Sequence, residues 1–299
     1  MPNKLGIIGL GNVGSTLANQ VVQTGLVSDL VLIDDNFNKL KADALDLKDS
    51  QAFGEHFTNI TINDYQALND ADILVIAVGD IKAYFGENPD RWVELAINAT
   101  NVEKIAEQLN QTSFHGLIVV ISNPCDAITT LLQKGLDYPR KKIFGTGTLL
   151  DTSRLRRHLS EYSGLSPRDI SGYVLGEHGD SQFVAWSTVT DDLVREEDKV
   201  AIENAARFGG QEVFNGKRYT NFAIANCAYQ VVKAVLARET RVFPLSFYQP
   251  TYDLYLSLPV RLRPEGIGDG LPIKLTSEEE RQLDRSAQAI RQKLNQLNE

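Results

Sequence analysis

The chain has 299 residues, of which 42% are hydrophobic and 23% charged, as expected of a globular protein with one large domain or two fused ones. Its formal net charge of -9 argues against nucleic acid or an anionic membrane as a partner, so an anionic substrate would need locally placed arginines. The two cysteines, Cys125 and Cys227, lack the spacing of a metal site or a redox pair. We therefore expect buried thiols in a reducing compartment, the cytoplasm.

The first half of the chain alternates between strand and helix signals. Short apolar runs predict strands, and the amphipathic segments between them predict helices. Strands joined by helical crossovers form parallel sheets, so this half is typical of the α/β class. The predicted strands are residues 5–10, 30–34, 59–62, 73–78, 117–122 and 142–144, and the helices are 13–24, 37–48, 90–110 and 127–133.

The second half has a mixed, α+β pattern. Helices are predicted over residues 152–163, 200–214, 220–239 and 277–298, and extended segments over 170–175, 182–190, 242–247, 252–257 and 271–274. The last helix opens with Thr276, which can serve as an N-cap, and with acids in its first turn. No apolar run reaches the roughly 18 residues of a membrane span. We predict two domains, residues 1–148 and 149–299, fused without a flexible linker.

Residues 9–14 form a dinucleotide-binding fingerprint, G-x-G-x-x-G, between a predicted strand and a predicted helix. Gly9 allows a tight turn, Gly11 lets the backbone approach a pyrophosphate, and Gly14 lets helix and strand pack closely. Asn12 and Val13 lie at the start of the helix, whose free N–H groups favour phosphate. The first domain is therefore predicted to be a doubly wound Rossmann sheet.

Asp34 lies twenty residues after Gly14, at the end of the second predicted strand. A carboxylate at this place accepts hydrogen bonds from the adenosine ribose. Together with Asp35 it would repel the 2′-phosphate of NADP, so we predict NAD as the cofactor. We also place Val78 and Gly79, at the end of a later predicted strand, in the cofactor site. The alternative is a glycine-rich turn and an ordinary loop aspartate.

His178 is one of only four histidines and lies between two glycines, in the segment G-E-H-G-D. A lone histidine is more often structural, but reduction of a ketone by a nicotinamide needs a proton donor, and imidazole suits that task near neutral pH. A carboxylate on the second ring nitrogen would fix the tautomer and favour the protonated ring. Asp151 is our candidate for that partner, with an N-cap role as the alternative.

Arg154 lies three residues after Asp151, so the two share one face of a predicted helix. A guanidinium can hold a carboxylate with two parallel hydrogen bonds, which lysine cannot do. Arg156 and Arg157 follow at once, and a solvated helix face is the better interpretation of them. The cofactor fingerprint, the proton donor and Arg154 together predict the reduction of a 2-oxo acid.

Four strings, in the same order as in the family, resemble the L-lactate/malate dehydrogenases, and the similarity spans essentially the whole chain. They are residues 9–14, S-N-P at 122–124, G-T-G-T-L-L-D-T-S-R at 145–154 and G-E-H-G-D at 176–180. Further segments resemble the branch of L-2-hydroxyisocaproate dehydrogenases from lactic acid bacteria. These are G-D-I-K at 79–82, F-H-G at 114–116, I-S-N-P at 121–124 and Q-F-V-A-W-S-T at 182–188.

The resemblance implies roles for four more residues. Arg91 would be the mobile-loop arginine that polarises the ketone, and Asn123 would contact substrate and nicotinamide, with a cis bond to Pro124. Thr220 would lie near the substrate and Ile224 against the nicotinamide ring. From the residues alone, Arg91 is an ordinary arginine at a helix start, Asn-Pro is a turn, Thr220 is an N-cap, and Ile224 is a core residue.

The loop before Arg91 sets selectivity in this family, and here, at residues 79–90, it looks longer than in lactate or malate dehydrogenases. It has no second arginine, which malate dehydrogenases use for the distal carboxylate, so oxaloacetate should be poor unless Lys82 points inward. Gly86 could act as a hinge. The apolar stretch Ala83, Tyr84 and Phe85 predicts 2-oxo acids with medium-size apolar side chains, of the 2-oxoisocaproate type; the alternative is an L-lactate dehydrogenase acting on pyruvate.

The resemblance also implies a homotetramer, with interfaces near helices 39–49 and 153–163. In bacterial relatives activated by fructose 1,6-bisphosphate, an arginine and a histidine bind the effector; Arg156 fits the first position, but Ser171 stands at the second, so we predict no such activation. Two other functions remain open. An NAD-dependent glycosidase would need a metal held by cysteine and histidine, whereas we predict no metal, and a non-catalytic NAD sensor would not need the whole catalytic set.

Overall fold

A computed structural model describes residues 3–80, 92–190 and 193–297 of the chain. Most of the loop that the sequence links to selectivity, with Lys82, Ala83, Tyr84, Phe85 and Gly86, lies outside these residues, as does Arg91. The described part contains a nine-stranded sheet and a separate two-stranded sheet. Helices cover the large sheet, so the predicted doubly wound α/β architecture with a further α+β region is confirmed.

Six parallel strands form the nucleotide-binding part of the large sheet, in the order β3-β2-β1-β4-β5-β6. They are β1 (Lys4–Ile8), β2 (Asp29–Ile33), β3 (Asn59–Ile62), β4 (Ile73–Ile76), β5 (Leu117–Val120) and β6 (Ile143–Gly145). The chain reverses its winding direction between β1 and β4. Such a reversal opens a crevice outside the carboxyl ends of the strands, where ligands bind in open α/β sheets.

Within the described residues of the first half, four α-helices pack on the two faces of these strands. They are α1 (Asn12–Gln23), α2 (Phe37–Asp49), α3 (Leu95–Leu109) and α4 (Cys125–Gly135). Alternate strand residues enter different cores: Leu5 and Ile7 pack with α1, while Ile8 and Ile76 pack with α3 and α4. Burial on both faces explains why the strands are continuous apolar runs rather than alternating ones.

Over residues 149–190 and 193–297, the second half supplies four α-helices and five strands. The helices are α5 (Leu149–Ser163), α6 (Glu196–Lys217), α7 (Phe222–Leu236) and α8 (Ser277–Gln296). Strands β7 (Tyr173–Leu175) and β8 (Phe183–Ala185) form the small sheet. The large sheet is extended beyond β6 by β9 (Arg241–Gln249), β10 (Leu254–Arg263) and β11 (Gly266–Gly270), each antiparallel to the strand before it in the sheet. The division of the chain at residue 148 stays a prediction.

The predicted elements are present with shifted ends, with two exceptions. The extended segment predicted at residues 182–190 is a strand only in β8, because Trp186–Thr188 form a short 3₁₀ helix. The strand predicted at residues 271–274 is wrong, because the last strand is the glycine-rich β11, which pairs with β10. The N-cap prediction for α8 is confirmed, since Thr276 and Glu279 form a reciprocal capping box. Among the described helices, none combines the length and apolar character needed to cross a bilayer.

Candidate active site

The fingerprint turn requires glycine at two positions. Gly9 has a φ of 95°, and a Cβ there would lie 2.6 Å from the backbone of Ala77. A Cβ on Gly14 would lie 1.9 Å from the carbonyl oxygen of Gly9, so helix α1 can pack on β1 only without a side chain at that point. A Cβ on Gly11 would meet nothing within 4 Å. This open side leaves room for a ligand against the start of α1.

Two charged side chains hold the Leu10 peptide within this turn. The Leu10 N–H donates to Asp34 Oδ2 at 2.6 Å, and its carbonyl accepts from Lys39 Nζ at 2.6 Å. The second oxygen of Asp34 accepts from the Asn36 N–H at 2.7 Å. Asp34 therefore lies against the fingerprint at the end of β2. Lys39 was not anticipated, because nothing in the sequence pattern distinguishes it from other lysines on helix surfaces.

One cleft, with a volume of about 320 Å³, brings together most of the predicted site residues. Ten of them line it: Gly11, Asn12, Val13, Val78, Gly79, Asn123, Arg154, His178, Thr220 and Ile224. Gly9, Gly14, Asp34 and Asp151 do not line it. Residues that the sequence analysis missed also line it, among them Glu94, Gly210, Gln211, Phe214 and Tyr219. The cleft thus joins the fingerprint to the histidine segment and to one end of α6.

Asp151 links the two candidate functional side chains of the cleft. It is fully buried in the first turn of α5. Its Oδ2 makes a short hydrogen bond with Nδ1 of His178, and its Oδ1 accepts from Arg154 Nη1 at 3.0 Å. Because Asp151 occupies Nδ1, the nitrogen of His178 available to a ligand is Nε2. The cleft therefore contains two functional groups: the His178 imidazole, which can release a proton, and the Arg154 guanidinium, which is held in a fixed orientation.

The alternative role of Asp151 as an N-cap is wrong. Helix α5 begins at Leu149, after Thr148, so Asp151 lies within its first turn and points inward. Two hydrogen bonds then tie α5 to β7: Thr148 Oγ1 donates to the Val174 carbonyl at 2.6 Å, and the Val174 N–H donates to Thr152 Oγ1 at 3.0 Å. Since β7 leads directly to His178, these bonds set its distance from Asp151.

A second buried carboxylate holds the backbone of the histidine segment. The His178 N–H donates to Asp126 Oδ2 at 2.8 Å, and Ser257 Oγ donates to Asp126 Oδ1 at 3.1 Å. Burial raises the pKa of the Asp126 carboxyl. Asp126 lies in the first turn of α4, just after the peptide bond between Asn123 and Pro124, which is cis as predicted. It therefore connects the Asn123 segment with His178.

Helix α3 and the residue before it hold the other side of the cleft. Asn98 Nδ2 donates to the carbonyl of Asn123 at 2.7 Å. Glu94, which is buried, accepts from the Asp80 N–H at 2.8 Å, and a Cβ on Gly79 would lie 2.8 Å from the same carboxylate. Glu94 therefore supports the backbone at residues 79 and 80, the described start of the loop at residues 79–90.

Arg154 lies between Asp151 and the backbone of α6. A Cβ on Gly210 would approach its Nη2 to 2.9 Å, so glycine at this position lets the helix lie close to the guanidinium. The Arg154 side chain is 14% exposed and lines the cleft. A cation with such a restricted position suits an anionic ligand of defined geometry.

Thr220 and Ile224 reach the cleft from the start of α7. The N-cap of this helix is Asn221, so an N-cap role for Thr220 is wrong. The Asn221 side chain instead donates to Thr16 Oγ1 at 2.9 Å and accepts from Lys217 at 2.5 Å. The first bond joins the start of α7 to α1 and the second joins it to the end of α6, so that Thr220 and Ile224 lie beside the fingerprint helix.

Glu177, next to His178, is a buried acid with little compensation. Its Oε2 accepts hydrogen bonds from the N–H and the hydroxyl of Ser181. Burial raises the pKa of the Glu177 carboxyl to about 7, and the carboxyls of Asp126 and Asp180 act in the same direction. The folded protein therefore binds a proton at Glu177 that the unfolded chain releases at lower pH.

We expect Glu177→Gln to stabilise the protein at about pH 8 and to change its stability little at about pH 4, below the pKa of the unfolded carboxyl. A carboxyl whose pKa is raised on folding supports the fold at low pH, and this support is lost as the pH rises through the folded value. For a rise from 4.5 to about 7, the limit is roughly 3 kcal/mol. Urea unfolding at both pH values measures the effect, with the exposed Glu55→Gln as control. A pH-independent difference would contradict it.

The cysteines and the other possible metal ligands are not arranged as a metal site within the described ranges. No group of three or more His, Cys, Asp or Glu side chains there could hold a metal ion. Cys125 and Cys227 are both free and buried, as predicted. Burial raises the pKa of the Cys125 thiol to about 12 and that of Cys227 to about 11, which disfavours thiolate formation at neutral pH.

Two family models together match almost the whole chain. Residues 3–145 match the lactate/malate dehydrogenase NAD binding domain, and residues 148–299 match the lactate/malate dehydrogenase alpha/beta C-terminal domain. The chain is 36% identical to L-lactate dehydrogenase 1 of Bifidobacterium longum subsp. longum. This alignment is 307 positions long and covers 97% of this chain and 96% of that protein.

Solved structures show the same fold over the full length. A lactate dehydrogenase from a Medee basin deep-sea metagenome library is 29% identical, with a TM-score of 0.92 and coverage of 100% of both chains. Malate dehydrogenase from Cryptosporidium parvum is 28% identical, with a TM-score of 0.92, over 100% of this chain and 99% of that one. The similarity therefore includes proteins named for two different substrates.

Proposed function

The chain belongs to the lactate/malate dehydrogenase family, and from that premise we propose that it is an L-2-hydroxy acid dehydrogenase that reversibly reduces 2-oxo acids. Its cofactor is NAD, and its substrates are small hydroxy or oxo acids. The observation that carries the proposal is the contact of one buried carboxylate, Asp151, with both His178 and Arg154. A proton donor and a carboxylate-binding cation are thereby fixed in one cleft with the fingerprint.

The residues of the cleft fit the cofactor. The open side of Gly11 admits a pyrophosphate to the N-terminus of α1, where free N–H groups favour anions. Asp34 is suited to the adenosine ribose. We assign Asn12, Val13, Val78, Gly79, Asn123 and Ile224 to the rest of the cofactor site, because all of them line the cleft. When bound, NADH supplies a hydride to the carbonyl carbon of the substrate.

His178 supplies the proton in this proposal. The ring donates from Nε2 to the carbonyl oxygen during reduction, while Asp151 on Nδ1 stabilises the imidazolium before transfer. The reverse reaction needs the neutral ring as a base. Reduction and oxidation should therefore have opposite pH preferences, the former favoured at lower pH and the latter at higher pH.

Arg154 binds the substrate carboxylate and so orients the carbonyl toward His178. Asn123 and Thr220 lie in the same cleft and are assigned to the substrate. Arg91 is assigned to the carbonyl oxygen of the substrate, an assignment that rests on family resemblance, since Arg91 lies outside the described residues.

For the substrate side chain, we propose medium-size apolar groups of the 2-oxoisocaproate type. The support is the composition of the loop at residues 83–85 and its lack of a second arginine. Phe214 and Tyr219 add aromatic surface to the cleft. The names of the relatives favour pyruvate instead. Because one methylene changes binding by only about 1–3 kcal/mol, we expect broad selectivity.

Turnover and its stereochemistry test the proposed reaction. We expect the protein to oxidise NADH in the presence of 2-oxoisocaproate, to form the L-hydroxy acid, and to use NADPH poorly because of Asp34 and Asp35. Chiral chromatography of the product and loss of NADH absorbance measure this. NADH binding without turnover of any 2-oxo acid would instead support an NAD sensor.

We further propose a homotetramer, with α2 and α5 at the subunit contacts, and no activation by fructose 1,6-bisphosphate. Exposed apolar side chains on α2, Phe37 and Leu45, support the first part. The second part depends on Ser171, which is exposed and carries no cationic group. Analytical ultracentrifugation tests the assembly, and the KM with and without the bisphosphate tests the regulation.

A further inference from the structure

We infer that Gln182 is a positioning residue for Asp151, and through Asp151 for both His178 and Arg154; this inference rests on the proposed function. Gln182 follows the histidine segment directly and precedes β8. The end of its side-chain amide lies 3.2 Å from both carboxylate oxygens of Asp151, and we assign the amide nitrogen, rather than the oxygen, to that side. The opposite orientation would set an amide oxygen against a carboxylate, which has no proton to donate.

Because Asp151 is buried, the hydrogen bonds of its carboxylate depend on the protein groups around it. Asp151 is fully buried and Gln182 is only 2% exposed, so bulk water does not replace a lost donor there. An ionised carboxylate in such a place needs hydrogen bonds to most of its lone pairs. His178 occupies Oδ2 and Arg154 occupies Oδ1, while the Gln182 amide spans the two oxygens. The Gln182 amide thus fixes the rotation of the Asp151 carboxylate, so that one oxygen faces His178 and the other faces Arg154.

Helix α6 holds Gln182 in turn. Arg207 Nη2 donates to the backbone carbonyl of Gln182 at 2.9 Å and to Glu203 Oε1 at 2.9 Å. The same helix contributes Gly210, which lies against the Arg154 guanidinium. Helix α6 therefore contacts both residues that bond to the Asp151 carboxylate from this side: it holds Gln182 through Arg207, and it packs against Arg154 at Gly210.

A neutral donor at position 182 has a second consequence. A glutamate would have nearly the same shape but would face a buried carboxylate at the same distance. Two carboxylates in contact without water cannot both ionise freely, so one proton would be held between them. Glutamine supplies the donor without the charge, and it leaves Asp151 ionised to favour the imidazolium form of His178.

Two variants of matched size test the inference: Gln182→Met removes the donor, and Gln182→Glu replaces it with an acid. With NADH and 2-oxoisocaproate, we expect kcat/KM to fall by roughly 10-fold or more in Gln182→Met, as for a lost hydrogen bond to a charged group. In Gln182→Glu, we expect the pH profile of kcat/KM to gain a further ionisation. Gln288→Glu, an exposed change on α8, should do neither.

Thermal unfolding gives a readout that needs no turnover. Relative to wild type, the midpoint of Gln182→Glu should fall as the pH rises, because ionisation of both carboxylates is disfavoured in the folded state. Asp151→Asn separates the two proposals: if it retains wild-type turnover, the proposed role of Asp151 is wrong. If it is inactive while both Gln182 variants keep the wild-type kcat/KM, pH profile and midpoints, the Gln182 inference alone is overturned.

Discussion

His178→Asn should abolish most of the turnover while leaving NADH binding intact. Loss of a general acid typically lowers rates by about 10²–10⁴-fold, and we expect kcat/KM for 2-oxo acid reduction to fall within that range. Asparagine can still bond to Asp151 but cannot release a proton at the pH of the assay. The opposite pH preferences of reduction and oxidation should also disappear. Steady-state kinetics in both directions, with NADH affinity from fluorescence titration, measure these effects.

His115→Asn is the matched control for this experiment. His115 is exposed and precedes β5, at the amino end of the sheet and away from the cleft. The same chemical change there should leave kcat/KM and its pH dependence at wild-type values. A His178→Asn protein that binds NADH and still turns over 2-oxo acids at the wild-type rate would contradict the role of His178.

Arg154→Lys should raise the KM for 2-oxo acids strongly, with a smaller effect on kcat. Lysine keeps the positive charge but cannot form two parallel hydrogen bonds with a carboxylate. It also has no planar group to fill the space between Asp151 and Gly210. One lost hydrogen bond to a charged group, worth about 1.5–3 kcal/mol, corresponds to a decrease in kcat/KM of roughly 10- to 150-fold.

Arg157→Lys is the control on the same helix. Arg157 is exposed and pairs with Glu161 at 2.8 Å, the kind of surface ion pair that contributes little. Its replacement should leave KM, kcat and NADH affinity unchanged. If Arg154→Lys behaved like Arg157→Lys, Arg154 would not be the group that binds the substrate carboxylate.

The nucleotide-binding part of the fold was predictable because its signals are local. The fingerprint at residues 9–14 is a contiguous string, in which Gly9 has a positive φ and Gly14 lies against the carbonyl of Gly9. The buried strands are also recognisable in the sequence as short apolar runs. The start of α5 was less predictable. Aspartate is a frequent N-cap residue, but α5 begins before Asp151, and the Asp151 carboxylate bonds to His178 instead.

What escaped prediction depends on contacts between distant segments. Gln182 lies thirty-one residues from Asp151, and no motif joins the two. Strand β11 has a glycine-rich sequence with poor strand propensity, yet pairing with β10 makes it extended, whereas the apolar residues 271–274 are not a strand. Helix α6 was predicted from its periodicity, but the proximity of Gly210 to Arg154 follows only from tertiary packing.

The most direct test of the proposed function is the ranking of kcat/KM for NADH oxidation across pyruvate, oxaloacetate, 2-oxoisocaproate, 2-oxocaproate and phenylpyruvate. We predict that the larger apolar acids give the highest values, that pyruvate is a weaker substrate, and that oxaloacetate is the poorest. A ranking led by pyruvate would replace this specificity with that of an L-lactate dehydrogenase. The absence of turnover with every acid would contradict the proposed dehydrogenase activity itself.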